Sequence, residues 1–266
     1  MPLATLHLIS LSAGHTVSDY LRAISSSGVK PLVAARVVRW IIKPEKLSVN
    51  ALLTPSWDLL IILPATSKLP GVYGGKDWIQ NHWSMNAGIP SRVTNGFEQK
   101  NDRLLHPQQG DVPKLTGSMD EPRMADSAQG LELNTELLDW SKGFTLGQTG
   151  AVSMLNLLAF KPEKGADESY RRYGKAFSET IGARRGGDAK LVGKVVPKQG
   201  TSDEDNAGWE EFALAHYPSI RHFVDMLASK DYQEVNHRDR LPSLRDTCIL
   251  CTSELDPELY AGKSRL

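Results

Sequence analysis

Apolar residues recur along this chain with period two in some stretches and at three-to-four spacing in others, and the two rhythms alternate. Residues 151–160, Ala-Val-Ser-Met-Leu-Asn-Leu-Leu-Ala-Phe, are almost continuously apolar and predict a strand buried on both faces. Tyr170, Tyr173, Phe177 and Ile181 follow at helical spacing, one stripe of an amphipathic helix. Gly186 and Gly187 end that helix, and residues 191–196 form a short strand closed by Pro197. The polar, acidic run 198–208 predicts a surface hairpin loop. Residues 209–217 read as the next strand, stopped by Pro218. Ser219 caps a helix carrying Ile220, Phe223, Val224 and Leu227, and Ser229 caps a further turn through Tyr232 and Val235. Residues 246–252 give the last strand. The order is strand, helix, strand, strand, helix, strand.

The first part of the chain echoes this plan. Residues 6–11 stand where 154–159 stand, Asp19-Tyr20-Leu21-Arg22 resembles Ser169-Tyr170-Arg171-Arg172, and 33–42 reads as the second strand. Residues 57–64, opening Trp57-Asp58, echo 209–218, opening Trp209-Glu210. The Trp-acidic pairs lie about 150 residues apart, which suits a duplicated unit better than a short solenoid repeat. Residues 77–86, with Trp78, Ile79, His82 and Trp83, are expected to form the second helix of this first unit, its aromatics packed or lining a pocket. The expected organisation is one unit over 1–100, a connecting segment over 101–150 and a second unit over 151–266. Polarity and Pro107, Pro113 and Pro122 mark the connection from residue 98 onward, and one helix is expected over 131–140, with Leu133, Leu137 and Trp140 on a face. So long a segment is either a linker or a loop that covers a site.

Charge narrows the field. With 31 basic and 31 acidic residues the chain has no net charge, which argues against nucleic acid or an anionic membrane as its main partner. No apolar run approaches the length of a membrane span. The apolar stretch 6–13 lacks the flanks of a signal peptide and reads as a strand. Two Cys and the absence of an N-glycosylation sequon give no support to secretion. The terminal Ser264-Arg265-Leu266 is a close variant of the Ser-Lys-Leu peroxisomal signal, so the import receptor is an expected partner and the peroxisome the expected location, with the cytoplasm as the alternative.

The second unit resembles the small ferredoxin-like domains of the dimeric α/β barrel superfamily. It is closest to a branch whose members mostly lack an assigned activity. The resemblance rests on the Gly186-Gly187 turn, the strand ending Tyr217-Pro218-Ser219, the turn Ser229-x-x-Tyr232-Gln233, Arg240, and Asp246 before the last strand, and covers about 100 residues. It implies an α+β fold in which two antiparallel sheets pack face to face as a barrel with helices outside. One chain with two units can supply both sheets, and a further homodimer is possible. Relatives of this fold include cofactor-free monooxygenases, cyclases, decarboxylases, isomerases and haem enzymes, so the fold alone does not choose a reaction.

Candidate chemistry follows from strand parity. Asn156 shares parity with Met154, Leu158 and Phe160, so its amide lies on an apolar face and must find a partner, a substrate oxygen or a protein neighbour. His216 alternates with Phe212 and Leu214; it is either a proton acceptor in a cavity or a core histidine. His7 occupies the place in the first unit that Asn156 holds in the second, so both could face one cavity. Tyr170 and Tyr173 either pack on the sheet or, as phenols, donate to an oxyanion. Arg240 suits a substrate carboxylate, or pairs structurally with Asp239 or Asp246. Trp83 is a candidate pocket wall. Cys248 and Cys251 point to opposite faces of a strand, which argues against a shared metal or a disulfide. No phosphate-cradling loop, dinucleotide fingerprint or nucleophile elbow is present.

These readings lead to an expected enzyme without metal, flavin or haem, acting on a small hydrophobic carbonyl or phenolic metabolite by proton transfer: isomerisation, cyclisation or decarboxylation. His216 or His7 would be the base, with Asn156 and Tyr173 on the oxyanion and Arg240, Tyr170 and Trp83 holding the substrate between the sheets. The alternatives are a cofactor-independent monooxygenase and a non-catalytic small-molecule-binding barrel.

Overall fold

The computed structural model describes residues 1–71, 78–196 and 208–255. The terminal tripeptide, the 198–207 loop and Pro197 lie outside the described residues. Eight strands form one closed antiparallel barrel: β1 (Leu3–Leu11), β2 (Val33–Ile42), β3 (Leu59–Pro64), β4 (Ile79–Gly88), β5 (Val152–Phe160), β6 (Asp188–Val195), β7 (Glu211–Tyr217) and β8 (Leu244–Glu254). Around the barrel the order is β1-β3-β2-β8-β5-β7-β6-β4. Each half therefore contributes the same four-stranded ferredoxin-like sheet, β4-β1-β3-β2 and β8-β5-β7-β6. Two seams join them: β2 pairs with β8 (Ala35 opposite Glu254) and β4 with β6 (Ala87 opposite Val195). Closure leaves no sheet edge among these strands.

Strand parity decides which side chains fill the barrel. Leu6 and Leu8, Leu60 and Ile62, Trp83 and Met85, Leu155 and Leu157, Phe212 and Leu214, and Cys248 and Leu250 belong to one buried cluster. The space between the sheets is thus a packed apolar core, not an open chamber. It is tight enough that a Cβ on Gly193 would stand 2.6 Å from the Phe212 ring. The short helix α2 (Val49–Leu53) adjoins this core. Trp57 Nε1 donates to the Leu52 carbonyl (2.8 Å), and Trp209 Nε1 donates to Ser48 Oγ (2.9 Å). The two tryptophans of the sequence echo therefore meet the same turn.

Outside the barrel the halves differ. In the first, α1 (Val17–Ser26), capped by Thr16, lays Tyr20, Leu21 and Ile24 on Ile9, Leu59 and Ile61. Among the described residues no helix lies between β3 and β4. The helix expected over 77–86 is corrected here: residues 79–86 belong to β4. Their rhythm is two, not 3.6, because Trp83 and Met85 point inward while His82, Ser84 and Asn86 take the other face. In the second half α7 (Ala166–Ala176) runs on as a π-turn over Phe177–Ile181, and α8 (Ile220–Leu227) and α9 (Lys230–Val235) cover the sheet, with a second π-turn over Asn236–Arg240. Gly186 sits at φ +68°, and a Cβ there would come within 2.5 Å of Pro218, so this turn requires glycine.

The connecting residues carry α3 (Ser91–Thr94), α4 (Phe97–Leu105), α5 (Thr135–Gly143) and α6 (Thr145–Thr149). Leu131 is not helical; it holds a positive φ of 59°, and α5 begins after the Asn134 cap. Between α4 and α5 the chain is strapped onto the second half. Asp225 of α8 accepts from Thr116 N (3.0 Å), Thr116 Oγ1 (2.6 Å), Ser118 N (3.0 Å) and buried Arg185 Nε (3.2 Å). His222 Nε2 meets the Pro113 carbonyl at 2.9 Å, and Asn236 Nδ2 donates to the Gly130 carbonyl at 2.9 Å. No described helix is long and apolar enough to cross a membrane.

Candidate functional site

Arg240 is the most unusual side chain in the structure. It is fully buried, and among the described residues no carboxylate or carbonyl accepts from Nε, Nη1 or Nη2; the Tyr170 hydroxyl accepts only a weak hydrogen bond from it. Neither expected carboxylate serves it. Asp239 is turned to Arg172 (3.1 Å) and Arg238 (2.7 Å), and Asp246 accepts from the backbone of Lys46 (2.9 Å) and Leu47 (2.7 Å). A guanidinium stays charged at any physiological pH, and a buried charge without a counter-ion costs about 3–5 kcal/mol. Four tyrosines lie within range of the Arg240 charge. Its charge lies close enough to Tyr170, Tyr173, Tyr217 and Tyr232 to favour each phenolate, yet burial wins and pushes all four phenols above their ordinary range. They are therefore O–H donors at neutral pH.

The local fold explains why these rings gather. Tyr170 and Tyr173 are three apart on α7, on the stripe that faces the sheet; their rings lie 5.4 Å apart. Tyr170 meets Phe160 of β5 at 5.3 Å, Tyr173 meets Tyr232 of α9 at 6.5 Å, and Phe177, one turn on, meets Tyr217 of β7 at 6.2 Å. The helix thus runs back along the outer face of β5 and β7. Asn156 lies on that face, opposite Ala213 and Ile249, between the level of Phe160 and that of Val152, which faces Tyr217. Its Nδ2 donates to the Met154 carbonyl (2.9 Å) and the Ala213 carbonyl (3.4 Å). Asn156 and Tyr173 keep 8% and 7% of their surface exposed, so the layer between sheet and helix is not sealed.

Glu211 shares the outer parity of Ala213 and adds a carboxyl at the edge of this layer, near Tyr170. Burial raises its pKa above the ordinary carboxylate value, opposed by Lys194 and Arg171. The sequence reading gave Glu211 no role, its attention resting on the neighbouring Trp209-Glu210 pair; the parity of Glu211 with Tyr217 was the available signal.

The other predicted residues lie elsewhere. His216 is on the opposite face of the second sheet from Asn156. It pairs with Ser153 in register and points into the barrel, so the interior site expected to hold both does not form. Burial, with Lys190 nearby, holds its imidazole down to about 3, so it is neutral at pH 7. Near it the barrel's polar mouth contains a buried Lys190–Glu254 ion pair. Asn101 of α4 serves both partners, accepting from Lys190 Nζ (2.8 Å) and donating to Glu254 Oε2 (2.8 Å). His7 also faces outward, on the first sheet, where its Nδ1 lies 2.9 Å from His82 Nε2 beside the Thr5–Asn86 hydrogen bond (2.8 Å). His7 and Asn156 therefore sit on the outer faces of different sheets and share no cavity. Trp83 is part of the apolar interior. Cys248 lies in that interior and Cys251 on the helix side, both buried, as strand parity requires. Of the seven site candidates, Asn156, Tyr170, Tyr173 and Arg240 come together.

No protein-family model matches the chain. No curated protein matches it either. Among solved structures it is similar to a protein of unknown function from Rhodopseudomonas palustris, with 26% identity and a TM-score of 0.39 over 47% of this chain and 97% of that one. The methylated form of that protein matches at 24% identity. A provisionally named monooxygenase from Lactobacillus acidophilus matches over 95% of this chain and 93% of its own at 8% identity, with a TM-score of 0.43. At such scores fold and function rest on the strand register and site geometry above.

Proposed function

We propose that the layer between the second sheet and its helices binds a small, flat organic anion with a carbonyl or phenolic group, and that the protein is an enzyme acting on it by proton transfer. The observation that carries this reading is Arg240, a buried cation without a carboxylate counter-ion among the described residues, near phenols that remain protonated. Arg240 would hold a carboxylate or enolate oxygen. Tyr173 and Tyr232 would donate to negative charge as it develops. Asn156 would orient the carbonyl. Glu211, with its raised pKa, takes the role of base that His216 and His7 are placed too far from the site to fill. A C–H beside the carbonyl gives its proton to Glu211, the electron pair moves onto oxygen as an enolate, and the proton returns at the same or another carbon. Isomerisation and cyclisation share that proton abstraction; decarboxylation reaches the same enolate by losing carbon dioxide from the carboxylate and shares only the protonation of carbon.

The equivalent strand orders and the shared Trp57–Trp209 arrangement support descent of the chain from a duplicated ferredoxin-like unit. The terminal Ser264-Arg265-Leu266 supports import into peroxisomes.

Phenylpyruvate tests the chemistry, because it joins a carboxylate, a carbonyl and an acidic C–H. In deuterium oxide, wild-type protein should speed loss of its benzylic proton signal about ten-fold or more over buffer. Glu211→Gln should remove that acceleration and keep binding, while Arg240→Met should remove binding. Saturable binding with no accelerated exchange would make the chain a binding module, and no binding at all would end the reading.

A further inference from the structure

We infer that a second small-molecule site lies at the polar mouth of the barrel, in the groove between α4 and the Gly186-Gly187 turn, and that it takes a small organic anion. The groove has a volume of about 660 Å³, with Lys100 and Arg103 on one wall and His216 and Pro218 along it. His216 is 1% exposed, and its Nδ1 is buried with no hydrogen-bond partner. A buried ring nitrogen left unpaired costs about 1–3 kcal/mol, so a hydroxyl or carbonyl that met it would be favoured. A neutral imidazole can serve either kind of group, since it offers one donor and one acceptor.

The lining carries two cations, Lys100 and Arg103, and two carboxylates, Asp111 and Asp188, so the placement of an unpaired guanidinium rather than net charge favours an anionic end on the ligand. Lys100 is used by Asp188 (2.7 Å), and Asp111 accepts from Gln108 N (3.1 Å). Behind them Lys190 and Glu254 satisfy each other. Arg103 makes no ion pair among the described residues and stands exposed on the α4 wall, where its guanidinium is free to meet an anionic group. The ligand then spans the groove with its anionic end on Arg103 and its polar group on His216, touching both α4 and the second unit. This site is separate from the Arg240 layer, because His216 and Asn156 face opposite sides of the sheet.

Phenyl phosphate is a suitable probe, followed by the ring 15N resonances of His216 in the full-length protein, assigned by their loss in His216→Gln. Saturable shifts of those resonances at millimolar probe are expected. Arg103→Gln should weaken binding roughly five-fold, the upper end for a partly exposed ion pair. Arg240→Met should leave the titration unchanged, which separates this site from the one above. Absence of a saturable shift, or equal affinity in Arg103→Gln, overturns the proposal. So does loss of the shift in Arg240→Met. Thermal melting of each variant shows that the fold is intact, and Arg103 is exposed, so its replacement leaves the core untouched.

Discussion

His216 shows how the setting of one residue governs a property of the whole chain. In the folded state its imidazole takes a proton only near pH 3, whereas an unfolded chain would take it near 6.5. Between those values the unfolded state holds more protons, so stability falls as pH falls from about 6.5 towards 3. From pH 7 to pH 4 the loss from this residue is on the order of 3 kcal/mol. Urea unfolding at the two pH values should show that difference shrink in His216→Gln; an unchanged difference would mean the imidazole is not held neutral. Glu211 has the opposite sign. Its raised pKa implies that proton-transfer activity rises with pH through a midpoint above the ordinary carboxylate value, and Glu211→Gln removes that limb along with the activity.

Elements were legible wherever one rhythm was clear, and their facing was not. The stripe of Tyr170, Tyr173 and Phe177 gave α7, and the parity of Asn156 with Met154 and of His216 with Phe212 was read correctly. Both faces of β5 are apolar, however, one against the barrel core and one against helices. A sequence of that kind carries no mark of which side is which. Hence Asn156 and His216 were expected to share a cavity from which their sheet separates them. The segment 79–88 failed differently: its aromatics suggested a helix, while the alternation of Trp83 and Met85 with polar His82, Ser84 and Asn86 was the better signal. Arg240 was picked out by resemblance, and its isolation from carboxylates could be known only from three-dimensional placement.

The strap that precedes α5 is an element whose energy is concentrated at Asp225. Asp225→Asn would leave Arg185, 3% exposed, with only the half-exposed Asp231 as its counterion. The expected cost is roughly 3 kcal/mol, or a fall in Tm of roughly 6–12 °C for a chain of this size. Proteolysis should then cut within residues 106–134. An unchanged Tm and unchanged cutting would show that the strap is held elsewhere.

At the scale of the whole molecule, the proposed address and the fold act independently, because the terminal tripeptide follows the last barrel strand. A fluorescent protein carrying the last dozen residues should collect in peroxisomes, and removing Leu266 should return it to the cytosol. Diffuse fluorescence from the intact tail would refute that targeting.

The two seams, β2 with β8 and β4 with β6, lie within one polypeptide. A barrel assembled from separate subunits obeys mass action and loses its partner on dilution. Here the second sheet is tethered to the first, so barrel closure itself does not depend on protein concentration. The tether also frees the halves from identity. In a symmetric pair every substitution is made twice, once on each side of the axis. In this chain the outer face carries His7 and His82 on the first sheet, while the corresponding face beside Asn156 on the second is apolar under helices, and neither arrangement is imposed on the other half.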